Sequence, residues 1–432
     1  MNKGFNMINK RNLIMLCSVV LFHTCLLGQN DTLQLSVKEA EKYAIEHNYS
    51  MKNASIELKK AKSTQWYAIS SMLPQVTGSL DYTNYLGYEL NMMGMQIPMD
   101  PTSNITVQAS IGVSGAQIVS ATLGRMAREM AQTNYQITEH ATRAQIKTIY
   151  FSILAMENTM KLLGESMENI LRLETYVQQA VTVGISEQTD ADQISVQVSS
   201  LQNSINSTRR SVEMLYNSLR LLLGASVNTE IRLTEGIEDI LNIENANNLL
   251  NEHFSLTNNL DYQLIEQNVA LAKRQVRLNE WNYGPTLSAY YQYKSKIKTT
   301  AFDMNPPQVI GITLNVPIFS SGSKLSKVNE AKCSYKSAVN NMEMVADQLK
   351  VQDRQLRYNL HSHFENYETQ RKNIDVSQRV FNNITNKYEQ GYASSMDVTN
   401  SSNNLITAQS NYIQAMLELI NAQIELEKLL NK

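Results

Sequence analysis

The chain has 432 residues, with 38 Lys and Arg against 40 Asp and Glu, and a net charge of −2 gives no electrostatic reason to expect nucleic acid. It holds only 16 glycines and 7 prolines, and every proline lies in one of two windows: Pro74, Pro98 and Pro101, then Pro285, Pro306, Pro307 and Pro317. That distribution excludes a row of ordinary domains and points to very long helices interrupted twice by something else.

The chain opens with Lys3, Lys10 and Arg11 ahead of an apolar run, Leu13–Leu27. The run is short for a membrane-spanning helix and reads as the core of a signal peptide over residues 1–28. Cleavage after Gly28 would leave Gln29 at the new N-terminus of an exported protein. Cys17 and Cys25 fall inside this segment. Lipidation of Cys25 is the alternative, although Thr24 is not the small residue expected before an acylated cysteine. The mature chain would keep one thiol, Cys333, and no intrachain disulfide.

Leu33–Ser71 reads as helical, with Ser36 and Glu39 in a capping-box pattern and a break at Asn48. The helix is expected to end before Pro74. The period then changes to two. Val76, Gly78, Leu80 and Tyr82 alternate with polar residues, and so do Ile105, Val107, Ala109, Ile111 and Val113. These runs predict strands over 76–88 and 104–118, joined by a loop carrying Met92, Met93, Met95 and Met99. Segments of about ten residues with one apolar and one polar face match barrel strands between lipid and water. Tyr82, Tyr85 and Tyr88 suit an interfacial girdle. From Ser120 to Ala180 a proline-free stretch predicts roughly 90 Å of helix.

The same programme then repeats. Val198, Leu201, Ile205, Thr208, Val212, Leu215, Leu219 and Leu222 follow a 3-4-3-4 spacing, and Leu405, Ala408, Tyr412, Ala415, Leu419, Ala422, Leu426 and Leu429 follow it 207 positions later. This is a heptad seam present twice. Val183, Gly184 and Ile185 precede Asp190, and Gln390, Gly391 and Tyr392 precede Asp397, with six residues from Gly to Asp both times. The first repeat is therefore placed at 29–224 with its tip at 183–190, a connector at 225–258, and the second repeat at 259–432 with its tip at 390–397. Strands are expected at 285–296 and 308–319, separated by a loop carrying Lys294, Lys296, Lys298, Pro306 and Pro307. A second proline-free stretch, Ser323–Glu389, predicts roughly 100 Å of helix.

Four strands cannot close a lipid-facing barrel alone, since eight is the usual minimum. Several chains sharing one barrel resolve this, and three would give twelve strands. The competing reading of the strands is a soluble sheet with one wet face. The competing reading of the heptads is a plain coiled coil, but polar residues such as Gln193, Gln197, Asn203 and Asn404 on the other face suit a wall with water on both sides. Asp190 reads first as a carboxylate favoured by the helix dipole. For Asp397 that reading is set beside a ring of like charges gating cations. The methionines at 92–99 read as packing before soft-metal ligands. His361 and His363, two apart, are not a zinc pair, and no catalytic motif, metal site or cofactor site is found, so no enzyme is expected.

Together these features resemble the TolC-type outer membrane efflux protein family. The resemblance rests on Leu35-Ser36-Val37-Lys38-Glu39-Ala40 with Asn48, on Met72-Leu73-Pro74, on Val316-Pro317-Ile318-Phe319 with Gly322, and on the two Gly-tip/Asp segments, in that duplicated order. It implies a mainly α protein with a transmembrane β part: a long α-helical coiled-coil barrel, and four strands per chain contributing to a homotrimeric 12-stranded outer-membrane β-barrel. It implies a passive exit duct of a tripartite efflux or type I secretion system, working with a periplasmic adaptor and an inner-membrane pump of the resistance-nodulation-division or ABC type. The resemblance makes Val183, Gly184, Ile185, Gln390, Gly391 and Tyr392 adaptor-docking tips, and Asp397 a candidate periplasmic gate together with Asp190. Asn400 stands where some members carry a second acid. The alternative from another class is an exported coiled-coil adhesin or scaffold without channel activity. Within transport, a duct for protein secretion or metal export reads the same.

Overall fold

The computed structural model describes residues 32–432 except 93, 237–242 and 299–304. The expected signal peptide 1–28, with Cys25, lies outside the described residues, as does Met93. The chain forms two compact units. One holds Gln145–Ile243, His363–Asn421 and the residues up to Asn48; the other holds Tyr49–Ala144, Glu244–Ser362 and Ala422–Lys432.

The first unit begins with strand β1 (Leu33–Leu35), where sequence reasoning expects helix. It pairs in parallel with β6 (Ile231–Leu233), Leu33 opposite Ile231. Three residues are too few to show a period of two, and pairing with a distant segment overrides local preference. The buried Tyr150 fixes the strand: its hydroxyl donates to the Leu35 carbonyl at 2.9 Å and accepts from the Glu235 N–H at 3.4 Å. Helix α1 (Val37–His47) then starts with a full capping box. The Ser36 N–H donates to the Glu39 carboxylate at 2.8 Å, and the Glu39 N–H donates back to the Ser36 hydroxyl. These bonds hold the Glu39 carboxyl below its ordinary value. The remaining helices run long because nothing interrupts their i→i−4 ladders: α3 (Gly115–Thr182), α4 (Gln188–Leu223), α7 (Ser323–Glu389) and α8 (Ser395–Leu429).

The heptad seams become this unit's core. Leu163, Ile170 and Val177 of α3, Ile194, Leu201 and Ile205 of α4, Phe381 and Tyr388 of α7, and Val398 and Leu405 of α8 form one buried cluster. A fully buried Ile or Leu such as Ile194 or Leu419 contributes about 1.5–3 kcal/mol. The two copies differ. In α8, seven of the eight seam positions are buried, Tyr412 being half-buried; in α4, Val198, Thr208, Leu215 and Leu222 are only half-buried. Helix α8 buries a second stripe as well, including Ile413, Met416, Ile420 and Ile424.

In the second unit, α2 (Tyr49–Ser70) and α6 (Leu260–Trp281) lead into a four-stranded antiparallel sheet ordered β2-β5-β7-β8. Its strands are β2 (Gln75–Thr83), β5 (Thr102–Ser114), β7 (Thr286–Lys298) and β8 (Gln308–Asn315). Four boundaries differ from sequence reasoning. The first strand stops at Thr83, and the expected methionine loop contains a hairpin, β3 (Glu89–Met92) with β4 (Met95–Pro98). The second strand stops at Ser114, whose hydroxyl accepts from the Gln117 N–H and so starts α3, although Ile118 and Val119 prolong the apolar run. The third strand continues through Lys298, so its lysines belong to a strand and not to a loop. The fourth ends at Asn315, because Pro317 has no N–H for the ladder. Between the repeats, the connector contains β6, the short helix α5 (Ile243–Asn251) and a 3-10 turn, Leu256–Asn258.

Register places most apolar strand residues on one face, Val309, opposite Gln292, being an exception. Leu80 lies opposite Ile105; Val76 opposite Ala109, then Tyr291, then Ile310; Val113 opposite Leu287, then Leu314. That face is open in the single chain, with Ile310 79% and Leu80 70% exposed. The edges β2 and β8 each pair on one side only.

Candidate functional site at the paired helix tips

Both hairpin tips are built the same way. At the end of α3 the Ile185 N–H reaches back to Ala180 O at 2.8 Å, and at the end of α7 the Tyr392 N–H reaches back to Lys387 O at 2.8 Å. These are six-residue helix-ending loops that need a left-handed residue, supplied by Gly184 (φ +76) and Gly391 (φ +78). The residue after each glycine projects outward: Ile185 is 81% and Tyr392 80% exposed. Val183 and Gln390 are exposed too.

After each loop an aspartate closes a capping box on the next helix. The Glu187 N–H donates to Asp190 Oδ2 at 3.3 Å, and the Ser394 N–H and hydroxyl donate to Asp397 Oδ2 at 2.9 and 2.7 Å. The backbone bond from Ser394, then its hydroxyl, holds the exposed Asp397 carboxyl below its ordinary value. Asn400 stands exposed one turn further on. The tips touch: the Ser395 hydroxyl donates to Asp190 Oδ1, and Gln197 Nε2 donates to Asn403 Oδ1 at 2.6 Å. Thus Asp190 and Asp397 both cap helices, while Asp190 also joins the two tips.

Sequence reasoning missed Ser394, Ser395 and Tyr388. The Ser394-x-x-Asp397 spacing is itself a capping signal, but nothing local marks Ser395 as a partner of Asp190. Tyr388 is buried and packs edge-on against Tyr176 with ring centres 5.9 Å apart. Burial first, and the Asp190 charge after it, push its phenol above the ordinary value. Beside it lies a cavity of about 270 Å³ between α3 and α7, lined by Asn169, Arg172, Tyr176, Asn382 and Glu389. Among the described residues no group of three or more His, Cys, Asp or Glu could hold a metal, and no helix is long and apolar enough to cross a membrane.

Residues 253–432 match the family model described as outer membrane efflux protein. The match takes in α6, β7, β8, α7 and α8. The fold to which these elements belong extends over nearly the whole chain. VceC of Vibrio cholerae, an outer membrane protein, is similar with a TM-score of 0.74 at 15% identity, covering 91% of this chain and 96% of its own. The outer membrane channel CmeC of Campylobacter jejuni has a TM-score of 0.75 at 15% identity, covering 91% and 85%. The open-state outer membrane channel MtrE of Neisseria gonorrhoeae has 0.74 at 14%, covering 91% and 88%. A comparison with curated protein sequences finds no match. The outer membrane efflux fold thus unites both repeats, although only the second is matched at the level of sequence.

Proposed function

We propose that this protein is the outer-membrane exit duct of a tripartite efflux or type I secretion system. The carrying observation is the sheet: four strands in register, one face mainly apolar and open, and an unpaired edge on either side. An open apolar face with two free edges is stable in lipid only when the edges meet other strands. Three copies joined β2 to β8 make twelve strands with lipid outside and the polar face around a pore. The long helices then lie in the periplasm. The duct does no chemistry. It passes what an inner-membrane pump of the resistance-nodulation-division or ABC type delivers through a periplasmic adaptor, which docks on Val183, Gly184, Ile185, Gln390, Gly391 and Tyr392.

The tip contacts give this duct a resting state. Opening separates groups such as Asp190 and Ser395, so an adaptor opens the tips only by binding the separated arrangement better. Asp397 and Asn400 face the same end, and Asp397 keeps its charge at neutral pH. If Asp397 gates cations, Asp397→Ala lowers cation preference in planar-bilayer recordings; an unchanged reversal potential reduces it to a helix cap.

The decisive experiment expresses the full precursor, isolates outer membranes and measures the protein mass in detergent by light scattering. A detergent-dependent trimer is expected. A detergent-free monomer or dimer would mean that the apolar face never meets lipid, and the duct reading would give way to a coiled-coil scaffold.

A further inference from the structure

Resting on the duct reading above, we propose that the loop end of the sheet forms an anion-attracting mouth, in which Lys294 and Lys296 draw soluble oligophosphate-type polyanions into the pore. All four helix junctions (near Gln75, Ser114, Thr286 and Asn315) lie at one end of the sheet. Lys294, Lys296 and Lys298 lie at the other end, on the strand that outruns its partner: β8 pairs β7 only from Thr286 to Tyr293. Lys294 and Lys296 lie opposite Thr106 and Asn104 and so share the polar face with Ser288, Tyr290 and Gln292, whereas a shift of register brings Lys298 opposite Ser103, in line with Tyr82 of the other face.

That face is the enclosed one. Lys294 and Lys296 are half-buried in the single chain, while Tyr293, Ser295 and Ile297 between and beside them are exposed. On the same face the Tyr290 ring lies over Gly311 so closely that a Cβ there would meet it at 2.5 Å. Across the polar face of all four strands Asp81 is the one carboxylate, opposite Asn104, which is opposite Lys296. Glu89 and Asp100 belong to the β3–β4 excursion and not to this face. Each copy therefore contributes two ammonium groups, Lys294 and Lys296, against one carboxylate on this face.

Lysines two residues apart on a strand are separated by about 7 Å. Their fields therefore overlap at 0.1 M salt, where screening extends over about 10 Å. Lys296 Nζ also donates to the Asn305 carbonyl. That anchors one donor of an ammonium that has three. A soluble polyanion fits better than a lipid headgroup, because the row faces the enclosed side of the sheet and the apolar residues take the other.

The test uses the purified assembly in planar bilayers, with sodium tripolyphosphate added to one compartment at a time. In 0.1 M KCl, addition on the outer side should reduce conductance and addition on the other side should not. In 1 M KCl the effect should fade, as the screening length drops to about 3 Å. The Lys294→Gln/Lys296→Gln variant, checked for wild-type assembly mass, should need about tenfold more tripolyphosphate. Should that variant fail to assemble, Asp81→Asn supplies the reverse test and should tighten the block. Conducting channels whose block is absent, symmetric or unchanged in these variants would overturn the anion mouth and leave the duct standing. Assemblies that conduct nothing would overturn both.

Discussion

Single backbone positions carry much of this architecture, and they are not equally tolerant. Gly184 and Gly391 need a positive φ but have open space around them, so a methyl group there meets nothing. Gly224 ends α4 with φ +68, and a Cβ would meet the His47 carbonyl oxygen at 2.3 Å. Gly184→Ala should cost about 1–2 kcal/mol, the ordinary penalty of the left-handed region. Gly224→Ala should cost clearly more, because backbone must also move; thermal unfolding of the two variants in detergent checks the order. The second repeat solves the same problem differently. Its matching residue is Asn431 (φ +58), the other side chain that tolerates this region, and its amide donates to the Asn258 carbonyl at 2.6 Å. Asp397 supplies a second test at this scale. Its folded pKa lies below the ordinary aspartate value, so its capping contribution is complete above about pH 4 and is lost as pH falls through the folded value. Amide exchange at Ser394–Val398 should therefore stay flat from neutral pH to about 5, after correction for intrinsic rates, and accelerate only below 4. Asp397→Asn should abolish that acid limb.

Among the elements, the helix junctions at Asn48 and Asn259 show how a repeat keeps its geometry while its sequence drifts. The Asn48 amide donates to Leu222 O at 2.7 Å, and the Asn259 amide donates to Leu429 O at 3.0 Å. Each asparagine thus ties the start of an ascending helix to the end of a seam helix 207 positions from its counterpart. Asn259 also caps α6 by accepting from the Tyr262 N–H. Asn48→Ala or Asn259→Ala should each cost about 1–3 kcal/mol by leaving a carbonyl unpaired, and the double variant should be additive because the two sites share no partner. Chemical denaturation in detergent reads both. Sequence alone showed Asn48 as a break and the long helices as proline-free, because caps and periodicity act over a few residues. It did not show β1 or the reach of Tyr150, because those depend on residues near 231–235. At the tips, the Gly and Asp positions were legible from their repeated spacing. The Ser395–Asp190 link was not, since it joins two segments 205 residues apart.

For the molecule as a whole, the sheet makes a sharp demand on its surroundings. Adjacent residues of β8 face opposite media: Ile312 sits on the open apolar face and Thr313 on the polar one. Ile312→Lys should cost about 2–4 kcal/mol near the middle of a bilayer, and the yield of assembled protein in outer membranes should fall accordingly. Thr313→Lys should leave that yield near wild type. Equal losses from both would argue against a lipid-facing side.

The parallel pairing of Leu33 with Ile231 has a consequence for the order of events during biogenesis. The first described segment finds its partner only after 198 further residues have been delivered, and β5 finds β7 only near residue 298. Contacts this distant in sequence close late and slowly. On the duct reading the chain crosses one membrane before reaching another, and it gains from that delay: β2 and β5 can pair early, but the sheet stays unfinished until β7 and β8 have emerged.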